Sequence, residues 1–261
     1  MFEFHGDRKR YFDIQVENTR KYVIPFIEVG KPIVPGTRVL EIGCGEAGVL
    51  KAFTERGCVG VGVELEEGRL VNAREWMADE IREGKLSFLS KDVYLVDVAK
   101  EFNGCFDIII LKDVIEHIHD QPKLIAWMKS FLNPGGVIFF GFPPWQMPFG
   151  GHQQVMQSRF LSKLPYFHLL PASIYRRILK SNKEDVASFM EIKETGISIE
   201  RFEKIVAETG YKTIHKTHYL INPIYEYKFG WKPKKQFGLI SKLTYLRNYF
   251  TTCVYYLITP Q

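Results

Sequence analysis

Val39-Leu40-Glu41-Ile42-Gly43-Cys44-Gly45-Glu46-Ala47-Gly48 is the stretch on which the fold turns. It runs apolar through Leu40, bends sharply at two glycines and passes into a helical pattern over residues 48–56, which reads as strand, tight turn and helix start. Glycine at 43 and 45 permits positive φ and lets a ligand descend onto bare backbone, while the free amides of the helix start face the same spot. Such a turn suits a nucleotide-like ligand.

Working outward, residues 10–29 place Phe12, Val16, Tyr22, Phe26 and Ile27 at mostly helical intervals, predicting one or two helices that cover the turn. Strands are expected at 38–42, 58–65, 86–90, 106–111 and 137–142, with helices at 67–82 and 122–132 between them. The unbroken apolar run at 106–111 suits a central parallel strand covered on both faces. This alternation predicts an α/β, doubly wound, mostly parallel sheet. From 143 to 197 it lapses into short helices broken by Pro165 and Pro171, an insertion placed to cover a site at the carboxyl ends of the strands. Ser198 then caps a helix ended by Gly210, and strands at 211–220 and 253–259 suggest an antiparallel pair at the sheet edge, with a basic loop at about 225–248 between them. The division expected is 1–142 for cover and ligand-binding core, 143–197 for a helical lid, and 198–261 completing a seven-stranded sheet.

The formal charge of +5 is local: beyond Glu226 there are six Lys or Arg and no Asp or Glu. That argues against a general nucleic-acid surface; the plain reading is lysines solvating an exposed insertion, and contact with an acidic or amphipathic partner stays open beside it. Cys44, Cys58, Cys105 and Cys253 show neither metal-ligand nor disulfide spacing, which fits a reducing cytoplasm. Residues 1–7 lack the charged-then-apolar order of a secretory signal. The uncharged run between Lys129 and Arg159 is too rich in Pro and Gly to span a membrane.

Gly43 to Gly48 literally satisfies G-x-G-x-x-G, with Glu64 near the distance of a ribose-binding acid, so a nicotinamide-binding oxidoreductase must be weighed. Glu41 separates the alternatives. A dinucleotide strand normally runs apolar into its first glycine, whereas a carboxylate two residues earlier makes sense when the ligand bears an ammonium group or when turn amides must be braced. In Glu41, Gly43 and Gly45 the chain resembles the class I S-adenosylmethionine-dependent methyltransferases, closest to the small-molecule group that includes the ubiquinone-pathway enzymes. Ala47 stands where a third glycine is usual, a mild departure if only the first two glycines need positive φ or close approach.

The resemblance implies a Rossmann-like sheet and S-adenosyl-L-methionine as cofactor, held by Glu41, Gly43, Cys44 and Gly45, by Glu64 and Leu65, by Asp92 and Val93, and by Lys112 and Asp113. Glu64 would accept from both ribose hydroxyls, Asp92 from the adenine amino group, and the loop after residues 106–111 would pass beside the sulfonium. Asn133-Pro134-Gly135-Gly136 resembles the turn before the family's fifth strand.

No metal is implied. Transfer to oxygen needs a proton acceptor, and the D-x-x-E-H pattern of Asp113, Glu116 and His117 nominates His117 with Glu116. The plain alternative there is a capping box from Asp113 to Glu116 with a packed His117. His152 in the uncharged loop could meet the acceptor, and Tyr11 and Arg8 could reach the cofactor's amino-acid end. Aromatics in the insertion fit either ordinary packing or an aromatic or lipid-like acceptor, and Arg176, Arg177 and Lys180 suit an acidic head group or peripheral membrane contact. A non-catalytic cofactor-binding protein is the third reading.

Overall fold

A computed structural model describes residues 7–102 and 104–261. The amino-terminal stretch read for a targeting signal lies, apart from Asp7, outside them. Eight strands form one sheet: β1 Arg38–Ile42, β2 Val59–Glu64, β3 Leu86–Ser90, β4 Phe106–Lys112, β5 Leu132–Phe142, β6 Tyr211–Ile221, β7 Lys234–Lys235 and β8 Cys253–Pro260, in the order β3-β2-β1-β4-β5-β8-β6-β7. The first five run parallel; β8 enters antiparallel between β5 and β6, and β7 pairs antiparallel with the outer edge of β6. The eighth strand is the two-residue β7, too short to show as an alternating pattern in sequence.

Period-two alternation in β4 sends Ile108 and Ile110 to one face and Ile109 and Leu111 to the other, all fully buried. The first face is covered by α1 Arg8–Asn18, α2 Ile24–Glu28, α3 Gly48–Thr54 and α4 Glu67–Trp76; α5 Ala78–Arg82 and α6 Val98–Glu101 are short elements flanking β3. The second face is covered by α7 Gln121–Trp127 and, further along the chain, by the helix opened by Ser198. Between them, α8 Ala172–Ser181 and α9 Val186–Thr195 with several 3₁₀ turns close a separate apolar cluster around Phe167, Tyr175 and Leu179. The helix after Ser198 is α10 Ile199–Glu208, and the Ser198 hydroxyl accepts from the Arg201 amide at 3.1 Å as its cap.

Three local expectations change. The single helix at 67–82 breaks at Met77, whose backbone leaves the helical region (φ −117°, ψ 24°) while its side chain stays fully buried. The fifth strand starts at Leu132, which pairs with Phe106, and residues 133–136 form an irregularity before regular pairing resumes at Val137. The basic segment at 225–248 is not one loop: it contains α11 Tyr225–Phe229, β7 and α12 Gly238–Lys242.

Candidate functional site

The turn at 43–47 is pinned from both sides. The amides of Gly43 and Cys44 donate to the Val63 carbonyl at 2.7 and 3.1 Å, and the Gly45 amide donates to Glu64 Oε2 at 2.8 Å. The other Glu64 oxygen accepts from the Glu66 amide at 3.0 Å. Glu64 thus braces the glycine turn with its own carboxylate, and each oxygen keeps one further acceptor direction for a ligand. Gly43 lies at φ +71°, and a Cβ there would come within 2.5 Å of Val114.

The expectation about the third glycine is corrected. Ala47 itself adopts the left-handed conformation (φ +66°), at a cost of about 1–2 kcal/mol for a residue with a Cβ, and the close approach falls one residue later. A Cβ on Gly48 would sit 2.6 Å from the Phe12 carbonyl oxygen, so this glycine lets α1 lie directly on α3. Arg8, on α1, pairs with Glu46 of the turn.

Two clefts open beside this turn. One lies under α1 and is lined by Tyr11, Gln15, Glu41, the glycine turn, Arg69 and Lys112. Glu41 is buried there with one oxygen unpartnered, and burial drives its carboxyl well above the ordinary range although Lys112 opposes the shift. A buried acceptor without a donor fits a cationic ligand group. The other cleft runs along the strand ends past Glu64, Leu65, Asp92, Val93 and His117. Asp92 is exposed and accepts from the Tyr94 amide at 2.9 Å through one oxygen. Leu65 lies just beyond β2, 72% exposed on the cleft wall.

Both clefts meet at Asp113, which also borders a third, lined by Tyr11, Glu116, Met147, Phe149, His152 and Lys228 among others. Asp113 adopts φ +57°, donates its amide to the Gly141 carbonyl at 2.7 Å and accepts from Lys112 Nζ at 2.6 Å. Burial resists its ionisation, but Lys112 outweighs burial and holds its carboxyl below the usual range.

The capping-box reading fails. The turn at Ile115–His117 begins after Val114 with no side-chain cap, and both Glu116 oxygens are buried without partners. Burial, then Asp113, raise the Glu116 carboxyl well above its ordinary value. His117 is exposed and borders the strand-end cleft, whereas His152 borders the third cleft with Glu116; the two imidazoles meet edge to face at 5.0 Å. Burial, then His117, lower His152 to about 4, leaving it neutral.

Although no metal was expected, donor atoms of Glu116, His117 and His152 lie within 4.8 Å of one another, the donor chemistry of a divalent-cation site among the described residues.

Sequence reasoning missed Arg69, Tyr225 and Lys228. Arg69 borders both clefts at the turn and pairs with Glu66 at 3.1 Å. Lys228 belongs to the basic segment but turns inward, and burial lowers it to about 8. No periodicity signals that α11 folds back over a site built more than a hundred residues earlier.

A family model described as "Methyltransferase domain" matches residues 16–165, more than half the chain. A ubiquinone biosynthesis O-methyltransferase from Methylococcus capsulatus is 27% identical over 105 residues, covering 40% of this chain and 43% of its own. The corresponding protein of Idiomarina loihiensis is 30% identical over 115 residues, 44% of this chain and 46% of its own. The matches therefore span less than half the length of these curated relatives. An S-adenosylmethionine-dependent methyltransferase from Clostridium acetobutylicum superposes over 99% of both chains with a TM-score of 0.58 at 12% identity, a likeness of fold. With its sheet order, its acid-flanked glycine turn and this match, the chain belongs to the methyltransferase-domain family, in the class I S-adenosylmethionine-dependent group.

Proposed function

We propose that the protein is an S-adenosylmethionine-dependent methyltransferase that methylates a hydroxyl group on a small acceptor. The observation that carries this is the meeting of three clefts at Asp113: an ammonium-type pocket at Glu41, a strand-end cleft at Glu64 and Asp92, and an aromatic-walled cleft holding a neutral histidine. The residues fit the cofactor. Glu41 would accept from its ammonium group, the bare turn would carry its amino-acid end, Glu64 its ribose and Asp92 its adenine. Bound there, S-adenosylmethionine supplies a methyl group on a sulfonium leaving group.

The remaining work falls to this chain. Tyr11 and Asp113, shared by the inner and acceptor clefts, align the acceptor oxygen. His152, neutral and on the acceptor side, takes the hydroxyl proton; His117, the sequence's first candidate, sits on the cofactor side of the same imidazole pair. Residues 143–197 act as the lid, with Met147, Phe149 and Val155 excluding water from the cleft.

A second reading comes from the Glu116–His117–His152 cluster: a divalent cation held there would lower the pKa of an acceptor hydroxyl in place of a base. Calorimetry with S-adenosylhomocysteine and NADH tests the main proposal; binding of NADH alone would overturn it. An acceptor screen with and without chelator separates base from cation, because chelation abolishes turnover only in the second case.

A further inference from the structure

Residues 229–250 contain nine of the twenty exposed large hydrophobic residues found among the described ones. Chance placement would put about two there, so the concentration calls for an explanation. The exposures are high for large apolar side chains: Trp231 58%, Phe237 54%, Leu239 74% and Tyr245 70%.

The same segment carries Lys232, Lys234, Lys235 and Lys242, all exposed, and none has an ion pair among those seen in the described residues. The other two cations beyond Glu226 point elsewhere. Arg247 is buried against Glu200 at 2.8 Å and Glu203 at 2.6 Å, and Lys228 borders the acceptor cleft. The acid-free stretch therefore splits into an inward anchor and an outward surface that mixes lysines with aromatic and leucine side chains.

That surface is continuous with the acceptor cleft. Tyr225 and Phe229 form part of the cleft wall, and Trp231 lies against both rings at 6.3 and 5.4 Å. Lys234 covers the Phe237 ring at 4.9 Å, and the Gln236 side chain donates to the Phe250 carbonyl, drawing the two ends of the segment together. On the lid side, the Tyr166 hydroxyl donates to the Tyr249 carbonyl at 3.0 Å.

We infer that residues 231–250 form a docking surface for an anionic lipid bilayer, which brings the mouth of the acceptor cleft against the membrane. Lysines that make no ion pair among the described residues and carry long apolar stems meet anionic headgroups, while Trp, Phe and Leu enter the acyl boundary. The elements here are five residues or shorter, so contact is by an interfacial patch and not an inserted helix. No helix among the described residues is long and apolar enough to cross a membrane. The consequence for substrate class, an apolar acceptor drawn from the bilayer past Trp231 and Phe229, rests on the methyltransferase reading; the docking itself does not.

Co-sedimentation of the full chain with phosphatidylcholine vesicles, with and without phosphatidylglycerol, tests the inference. Binding is expected only to the anionic vesicles, weaker at high salt, and reduced roughly a hundredfold or more in the quadruple variant Lys232→Gln, Lys234→Gln, Lys235→Gln, Lys242→Gln. Anionic vesicles should also shift the tryptophan emission to the blue, and Trp231→Phe should remove that shift. Equal binding by the quadruple variant, or no binding by the parent chain, overturns the inference. So does light scattering that shows the variant self-associating while vesicle binding persists, since the lysines would then only guard the sheet edge at β7. Titration of the parent chain and each variant with S-adenosylhomocysteine keeps the two proposals apart: no vesicle binding by the parent chain, or undiminished binding by the quadruple variant, with intact ligand affinity sinks only this one.

Discussion

Glu41 sits where water does not reach one of its oxygens and no donor replaces it. Its folded-state pKa lies above its unfolded value, so whatever stability it contributes is present below the ordinary carboxylate range and is lost as pH rises. Near neutrality its burial costs the ligand-free protein stability. Glu41→Gln should therefore raise the free energy of unfolding by about 1 kcal/mol while weakening S-adenosylhomocysteine binding roughly tenfold or more. Urea unfolding and calorimetry check both signs; a variant that loses stability would place Glu41 in a structural role. Glu64 should behave in the opposite way. Its two oxygens each accept a backbone amide, and glutamine would turn an amino group toward one of those donors. Glu64→Gln should cost about 1–3 kcal/mol of stability before any ligand is added. Sequence alone read both acids as ligand contacts, with bracing of the turn an alternative for Glu41; the hydrogen bonds put that bracing on Glu64.

At the scale of elements, the cover over the site depends on a single missing side chain. Gly48→Ala would place a methyl group against the Phe12 backbone, which has no rotamer by which to yield, so α1 must shift off α3. We expect a loss of about 1–3 kcal/mol together with weaker cofactor binding, because Tyr11 and Gln15 move with α1. Unchanged affinity in calorimetry would show that α1 plays no part in holding the ligand. The strands other than β7, and α10, were legible in the sequence because their signals are local: period-two apolar runs, a serine cap and a terminating glycine. The break at Met77 and the fold-back of α11 were not, since neither interrupts an apolar pattern.

Over the whole molecule, two groups of buried sites pull stability in opposite directions as pH falls. His152, His168 and His218 are each lowered to about 4 by burial, so the stability they support is present above about 6.5 and is lost as pH falls toward 4. Glu41 and Glu116, raised by burial, gain stability over the same fall. The double variant Glu41→Gln, Glu116→Gln removes the second group alone. Between pH 7 and 5 it should lose more stability than the parent chain, by about 1 kcal/mol or more, in urea unfolding. Equal losses would mean that these carboxyls ionise as in water.

By itself the sequence determined the alternation of strands and helices, the acid-flanked glycine turn, and the presence of acids at or near the ends of the first four strands that could face a nucleotide-like ligand. These follow from backbone sterics and short-range periodicity, which a few neighbouring residues specify. Only the tertiary structure decided that Glu64 braces the turn, that Glu116 is buried and unpartnered beside His152, and that Lys228 faces the acceptor cleft while four other lysines face outward. Burial and pairing are set by contacts between residues far apart in the chain, and the pKa of an acid or a lysine follows from those contacts rather than from its sequence neighbours.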